Sequence, residues 1–280
     1  PFTTSTLQQE AAKVLNFSTQ KTMRLAQQLY EGIEIKGNGT VGLISYLRTD
    51  STRISEEADT AARAYIREQY GEEYASKNNT TGNQNRKAQD AHEAIRPTDI
   101  ARVPAAMKES LSRDQFRLYQ LIWKRFVASR MEAAVYETIS AVIRGGEYDF
   151  HASASRIKFD GFMSVYTEED EEKNHNCVQL RSLDETSALT LVKFDSEQHF
   201  TQPPAHYTEA SRGKTLEELG IGRPSTYAPT ITTIINRRYV AKENKNLYMT
   251  ELGEVVNQMM KQAFPSIVDV NFTANMEGLL

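Results

Sequence analysis

The sequence contains almost no cysteine, no long apolar run and no excess of basic charge. Cys177 is the only cysteine among 280 residues, which excludes an internal disulfide and a cysteine-rich zinc ribbon within this sequence. No apolar run approaches the roughly 20 residues that cross a bilayer, and no charged-then-apolar leader is visible. These absences predict a cytoplasmic protein without a membrane anchor.

The net charge of −4 seems at first to oppose a nucleic-acid partner, because such partners usually require a basic surface. The acidic charge is unevenly distributed, however. Residues 151–205 contain 5 Lys/Arg and 10 Asp/Glu, whereas residues 101–150 contain 8 and 6. A DNA path is therefore compatible with the other segments if the acidic run at 168–172 forms a solvated loop. The alternative is an ordinary acidic cytosolic protein.

The periodicity of apolar residues changes twice along the chain. Residues 1–134 repeat about every helical turn, with Ser18 or Thr19 as a helix cap and Gly32 as a helix end. From Val135 the period is near two, and Gly145-Gly146 predicts a hairpin turn. Further strands are expected at 161–166 and 188–194. After Pro203-Pro204 helical signals resume. The pattern predicts a multidomain α+β protein divided into residues 1–134, 135–205 and 206–280.

One polar stretch after a short apolar run carries the first candidate chemistry. It reads Gly-Leu-Ile-Ser-Tyr-Leu-Arg-Thr-Asp-Ser from Gly42 to Ser51. A tyrosine hydroxyl has a pKa near ~10 and attacks poorly unless its ionisation is assisted. Arg48 supplies a fixed positive charge two residues after Tyr46, which favours phosphoryl transfer. The alternative is an exposed strand end that leads into a polar turn.

Two other segments have groups suited to phosphate. His92 can donate to a phosphate oxygen, and Arg96 can grip a phosphate with two nitrogens. The alternative is a structural histidine, with Arg96 paired to Glu93 or Asp99.

A predicted helix start later in the chain combines Arg223 with the hydroxyls of Ser225 and Thr226, and such a start binds phosphate through its N–H groups. The alternative there is a simple proline-led cap. Arg237 follows that helix, where a surface arginine is the alternative to a DNA contact.

These segments, in this order, resemble the motifs of the type IA DNA topoisomerases. The Tyr-x-Arg-Thr-Asp-Ser core is similar to the active-site tyrosine segment of the bacterial topoisomerase I members. Leu47 is nearer to their methionine than to the proline of topoisomerase III. The blocks Ala-His-Glu-Ala-Ile-Arg-Pro-Thr at 91–98 and Gly-Ile-Gly-Arg-Pro-Ser-Thr-Tyr-Ala-Pro at 220–229 agree with this. The resemblance implies a helical tyrosine-bearing domain, a β-rich arch and a C-terminal helical DNA-binding segment within a toroidal core.

The resemblance also implies a function. Tyr46 would attack a phosphodiester, Arg48 would stabilise the charged phosphate, and His92 would position it. The DNA backbone would be held by Arg96, Arg223, Ser225, Thr226 and Arg237. The implied activity is ATP-independent cleavage, strand passage and religation, relaxing negative supercoils in single-stranded or underwound DNA at the bacterial nucleoid. Two alternatives are a noncatalytic single-strand-binding module and a phosphatase or nuclease with a tyrosyl intermediate.

Two departures from the family pattern matter. The family's acidic Toprim domain, which binds Mg²⁺ and carries a catalytic lysine, has no counterpart before Pro1. We therefore expect Mg²⁺ to be bound by that missing domain, which would be this chain's partner. Arg212-Gly213 replaces two apolar residues, and glycine inside a helix costs about 1 kcal/mol relative to alanine, which puts helix docking there in question.

Overall fold

The structure is a computed structural model that describes residues 1–77, 92–167, 187 and 189–279. The acidic run at 168–172 and Cys177 lie outside the described residues. The predicted division at 134 and 205 stays a prediction. The chain groups into two compact units, the first containing Pro1–Tyr65, Asn78–Phe126 and Ala205–Leu280, and the second Ile66–Lys77 and Val127–Pro204.

Helices account for most of the regular structure in the described residues, and the strands form two-stranded antiparallel sheets. None of these helices is both long enough and apolar enough to cross a membrane. The helices are α1 (Thr4–Glu10), α2 (Thr19–Glu31), α3 (Glu56–Tyr70), α4 (Pro104–Met107), α5 (Arg113–Ala128), α6 (Glu209–Glu218), α7 (Tyr227–Asn236), α8 (Glu251–Ala263) and α9 (Val270–Leu279). The strands are β1 (Ile33–Ile35), β2 (Gly39–Val41), β3 (Val135–Gly145), β4 (Tyr148–Phe159), β5 (Val240–Glu243) and β6 (Asn246–Met249).

Helix α2 has the ends that the sequence predicts. The Ser18 hydroxyl accepts the Lys21 N–H, which satisfies one of the free donors of the first turn. Gly32 ends the helix with φ 128°, a backbone conformation that favours glycine. The apolar face of α2 is buried through Leu25, Ala26 and Leu29. This helix is therefore packed into the core of the first unit.

The core of the first unit centres on α5. Leu118, Tyr119 and Ile122 are fully buried on this helix, and Trp123 is 5% exposed. The Tyr119 hydroxyl donates to the Arg102 carbonyl at 2.7 Å, and Trp123 Nε1 donates to the Ile100 carbonyl at 3.0 Å. The polar ends of both aromatic residues are thus satisfied, and both rings belong to the core.

Helix α6 packs directly on α1 despite the unusual Arg212-Gly213 pair. Gly213 is buried, and a Cβ at this position would lie 3.9 Å from the Gln8 side-chain oxygen. A methyl group would fit there in ordinary van der Waals contact, so the approach of the two helices does not depend on the glycine. The question that this pair raises for helix docking is answered, since the helix docks at the glycine.

The second unit is organised by the β3–β4 hairpin, which the sequence predicts. Gly145 pairs with Tyr148 next to the turn, and the register continues to Val135 opposite Phe159. The Tyr74 ring packs on Phe159 with centroids 4.8 Å apart, and its hydroxyl donates to Asp160 at 2.7 Å. These contacts anchor the open end of the hairpin within this unit.

The predicted strands at 161–166 and 188–194 are wrong where the structure describes them. Gly161–Ser164 forms a 3₁₀ turn, and residues 189–194 have no regular structure. Gly161 has φ 47°, and a Cβ there would lie 2.5 Å from the Glu132 carbonyl oxygen. The left-handed backbone at Gly161 turns the chain after β4, and this turn overrides the apolar alternation.

Candidate active site

The Tyr46 segment has no regular secondary structure and bends at Ser45, Leu47 and Arg48, and its side chains alternate between buried and more exposed positions. Leu47 and Thr49 are buried, whereas Tyr46 is half-buried and Arg48 and Asp50 are exposed. Tyr46 and Arg48 therefore flank the buried Leu47, and neither of them is buried.

Thr4, near the start of the chain, holds the backbone of this segment through buried hydrogen bonds. Its hydroxyl donates to the Leu47 carbonyl at 2.7 Å and accepts the Thr49 N–H at 2.9 Å. The Thr4 N–H also donates to the Thr49 carbonyl at 2.9 Å. Because Thr4 is fully buried, these bonds replace water entirely for the backbone on either side of Arg48.

Ser45 joins the Tyr46 segment to the His92 segment. The Ser45 N–H donates to the Arg96 carbonyl at 2.9 Å, and its hydroxyl donates to the Ala94 carbonyl at 2.7 Å. The Arg96 N–H returns a bond to the Ser45 hydroxyl at 2.9 Å. Two motifs that are almost fifty residues apart in sequence are therefore bonded side by side.

This pairing brings three aromatic rings together. The Tyr46 ring lies 4.5 Å from the His92 ring and 5.5 Å, edge to face, from the Tyr30 ring at the end of α2. Gly42 permits the close approach, because a Cβ there would lie 2.7 Å from the Tyr30 carbonyl oxygen. The Tyr46 ring is thereby held on two sides, and no hydrogen bond joins its hydroxyl to another described residue.

A cleft of about 600 Å³ lies between α2 and α7, next to this ring cluster. It contains Arg48 and Ser225, and also Arg24, which the sequence reasoning missed. Arg24 and Arg48 are exposed, and neither is ion-paired within the described part of the chain. The cleft is lined by Gln20, Met23, Arg24, Gln27, Glu31, Leu47, Arg48, Pro224, Ser225, Ala228, Pro229, Thr232 and Thr233.

Arg96 lies beside this site but has partners of its own. Its Nε donates to Glu93 at 2.7 Å, and Nη1 donates to the Pro97 carbonyl at 3.0 Å. Burial raises the pKa of the Glu93 carboxyl, but the Arg96 guanidinium and bonds from Ser55 outweigh it and hold that pKa below its usual range. The pairing is the one that the sequence offers as an alternative to phosphate contact, and a DNA contact by Arg96 stays a prediction.

The helix start at Arg223 is also bonded internally. Arg223 Nη2 donates to the Glu277 carbonyl at 2.6 Å, while the Thr226 hydroxyl accepts the Arg223 N–H at 2.9 Å. Helix α7 begins only at Tyr227. Of the three predicted phosphate-binding residues here, Ser225 is the one that lines the cleft with Arg48.

Arg237 lies at the opposite end of α7 from Ser225. The helix has ten residues, so its two ends are about 14 Å apart at 1.5 Å per residue. Arg237 is exposed and does not line the cleft. Its predicted contact with DNA would therefore be made away from Tyr46.

The described residues do not form a complete metal site of their own. Mg²⁺ takes oxygen ligands, chiefly carboxylates and water. The residues that the structure describes contain no group of three or more His, Cys, Asp or Glu side chains able to hold a metal. We therefore assign no step of the chemistry to a metal held by these residues alone.

Comparisons with known proteins show the family to which the chain belongs. The family model described as DNA topoisomerase matches residues 1–280. The structure of full-length topoisomerase I from Thermotoga maritima is similar, with a TM-score of 0.82 and 41% sequence identity. The match covers 99% of this chain and 45% of that chain, so this chain spans less than half the length of the relative. The chain belongs to the bacterial type IA DNA topoisomerases.

Proposed function

We propose that Tyr46 is the nucleophile of a topoisomerase that cleaves one DNA strand and reseals it. The single observation that supports this most is the placement of Tyr46, which is clamped by its neighbours yet leaves its hydroxyl unbonded within the described chain. A side chain that only filled the core would bury this group or bond it. The residues that follow Tyr46, Leu47 and Arg48, line a cleft that also contains Arg24, and neither arginine has an ion pair within the described residues.

In the proposed reaction the Tyr46 oxygen attacks a backbone phosphorus and loses its proton. The bond from phosphorus to the 3′ oxygen breaks, and the 3′ oxygen leaves with the electron pair and takes up a proton. A 5′-phosphotyrosine bond forms in its place. Because one phosphodiester is exchanged for another, resealing runs the same step backwards and needs no ATP. Strand passage through the gap would relax negative supercoils.

Arg48 supports this step through charge. Arg48 lies two residues after Tyr46 and is exposed, and its guanidinium has no ion pair among the described residues. It is therefore available to the phosphate oxygens, where negative charge increases in the transition state. His92, against the Tyr46 ring, can donate to another oxygen of the same phosphate.

The strand itself would lie in the cleft between α2 and α7. Arg24 and Ser225 line opposite walls, which suits contact with the backbone on either side of the cleaved bond. Contacts to phosphates orient a strand without reading bases, so we expect weak sequence preference and a strong dependence on salt. We also propose that Mg²⁺ is bound by an acidic domain outside this chain.

A denaturing gel tests the proposal. This chain would replace the matching 45% of Thermotoga maritima topoisomerase I, and the chimera would be mixed with Mg²⁺ and a single strand labelled at its 3′ end. We expect a labelled protein band with Tyr46, none with Tyr46→Phe, and equal strand binding by both. An adduct in Tyr46→Phe, or none in a parent chimera that binds the strand, would overturn the assignment.

A further inference from the structure

A second cleft, at the opposite end of α2 from Tyr30, is rich in lysine. Its volume is about 740 Å³, and three separate segments of the first unit line it. We call it the lysine cleft. It is lined by Gln9, Ala12, Lys13, Asn16, Phe17, Ser18, Thr19, Lys21, Thr208, Glu209, Ala210, Ser211, Lys214, Lys242, Asn244 and Lys245.

The lysine cleft is positive within a chain of net charge −4. Five lysines and a single carboxylate, Glu209, line it. Two of the lining lysines pair with acids that lie outside the lining. Lys21 pairs with Asp114 at 2.6 Å, and Lys214 pairs with Glu218 at 3.7 Å. Even with these acids counted, the positive charges outnumber the negative ones. Positive charge is therefore concentrated in this cleft, although the chain as a whole is negatively charged.

The backbone adds to this positive charge. Helices α2 and α6 both begin in the cleft, and the Thr19 N–H donates to Glu209 at 3.2 Å, so the two N-termini meet. A helix N-terminus carries a partial positive charge. Glu209 also accepts Lys242 at 2.7 Å. This carboxylate joins the two helix starts to Lys242, while Lys214, which pairs with Glu218 at 3.7 Å, and Lys245 are exposed.

We propose that the lysine cleft binds the phosphate backbone of a DNA strand, as a contact separate from the Tyr46 cleft. The uncharged donors in its lining, which include Ser18, Asn16 and Asn244, are of the kinds that contact phosphate and sugar. Its one aromatic residue, Phe17, is 4% exposed and covered by Lys21 at 4.2 Å. No ring in the described lining is free to stack on a base, so the binding is to the backbone and independent of sequence.

The length of α2 sets the scale of this contact. The helix has 13 residues, so its ends are about 18 Å apart at 1.5 Å per residue. One end adjoins Tyr46 through Tyr30, and the other opens into the lysine cleft. At 3.4 Å per nucleotide of stacked strand, this distance is about five nucleotides. A strand that occupies both clefts must therefore be longer than one that fills the Tyr46 cleft alone.

Fluorescence anisotropy with this 280-residue chain tests the proposal. The labelled oligothymidylates are about 5 and about 20 nucleotides long, so that the first matches a small single-strand site and the second exceeds the usual site size of about 4–16 nucleotides. The variant is Lys214→Gln with Lys245→Gln. The matched control is Lys108→Gln with Lys261→Gln, which removes the same charge from exposed positions outside the cleft.

For the long oligonucleotide we expect the cleft variant to weaken binding by about tenfold at low salt and to reduce the slope of log K against log salt by about 1.4, or 0.7 for each lost contact. The short oligonucleotide and the control pair should change little. An unchanged slope in the cleft variant, or an equal change in the control, would overturn the proposal.

The inference rests on the proposed function only for its choice of DNA as ligand, and the two can fail separately. A lysine-dependent salt slope without a Tyr46 adduct would support the lysine cleft and contradict the nucleophile. An adduct at Tyr46 with no lysine dependence would do the reverse.

Discussion

The His92 imidazole lies against the Tyr46 ring, with the two centroids 4.5 Å apart and the planes inclined at 43°. This contact joins two motifs that the sequence separates by more than forty residues. It puts a group that can donate to phosphate next to the proposed nucleophile. Because the contact involves the His92 ring and the chemistry would involve its N–H, substitutions can separate a packing role of His92 from a chemical one.

His92→Phe should keep the ring contact and lose the donor. Hydrogen bonds to charged groups contribute about 1.5–3 kcal/mol, so the rate of adduct formation should fall roughly 10- to 150-fold, with stability little changed. Single-turnover cleavage by the chimera described above measures this rate. His92→Asn, which keeps a donor but loses the ring, is the comparison. Equal rates for His92→Phe and the parent would leave His92 a packing role only.

Arg48→Lys should be a poor replacement. Lysine keeps the charge but not the planar fork that holds two phosphate oxygens. Loss of a group that stabilises transition-state charge typically costs about 10²–10³ in rate, and we expect Arg48→Gln to reach this range and Arg48→Lys to fall between it and the parent. Arg144→Gln, on the exposed β3 strand, serves as the control. Full activity in Arg48→Gln would exclude the proposed role.

Thr4→Val should destabilise the first unit. The substitution is nearly isosteric, but it leaves the Leu47 carbonyl and the Thr49 N–H without their buried partner. An unsatisfied buried group costs about 1–3 kcal/mol, so we expect the free energy of unfolding to fall by this order in urea titrations. Thr4→Ser keeps the hydroxyl and should lose less. If the valine variant were as stable as the serine variant, the hydroxyl would not be what holds the segment.

Gly42→Ala tests the contact with Tyr30. The added Cβ would lie 2.7 Å from the Tyr30 carbonyl oxygen, and overpacking of this kind costs about 1–3 kcal/mol. The adduct rate should fall as well, because Tyr30 supports the Tyr46 ring. The control is Gly278→Ala, since nothing lies within 4 Å of a Cβ there. Equal stability of the two variants would contradict a tight approach at Gly42.

Glu209 predicts a dependence of stability on acid. Burial raises the pKa of its carboxyl, but Lys242 and the Thr19 N–H outweigh burial and hold the pKa below its ordinary value of 4.5. A lowered carboxyl pKa stabilises the fold above the unfolded value, and this contribution is lost as the pH falls through the folded one. Glu209→Gln should therefore reduce stability at pH near 7 and reduce it less in acid below about 4. Equal loss at both pH values would show that the charge is not responsible.

Features set by near neighbours could be predicted from the sequence. The Ser18 cap, the Gly32 helix end and the Gly145-Gly146 hairpin depend on residues only a few positions apart. The predicted strand at 161–166 was wrong because the prediction followed the apolar alternation, whereas Gly161 adopts a left-handed backbone conformation that ends the strand. Turn chemistry at a single residue outweighed the pattern of its neighbours.

The contacts that complete the site could not be predicted in this way. The bond from Thr4 to Leu47 spans 43 residues, and nothing local to Thr4 marks it as a partner of the tyrosine segment. Arg24 was missed because its neighbour Met23 lies on the face of α2 that the helical period assigns to the core. Its role depends on α7, which lies opposite in the fold and about two hundred residues later in the chain.

Peptide mapping of the covalent adduct tests the central claim most directly. Trypsin cleaves after Lys36 and Arg48 and releases a peptide in which Tyr46 is the only tyrosine. After the chimera has reacted with a single strand and nuclease has trimmed the DNA, mass spectrometry should find a nucleotide phosphate on Tyr46. The same phosphate on Ser45, or on a peptide from another part of the chain, would contradict the assignment of Tyr46 as the nucleophile.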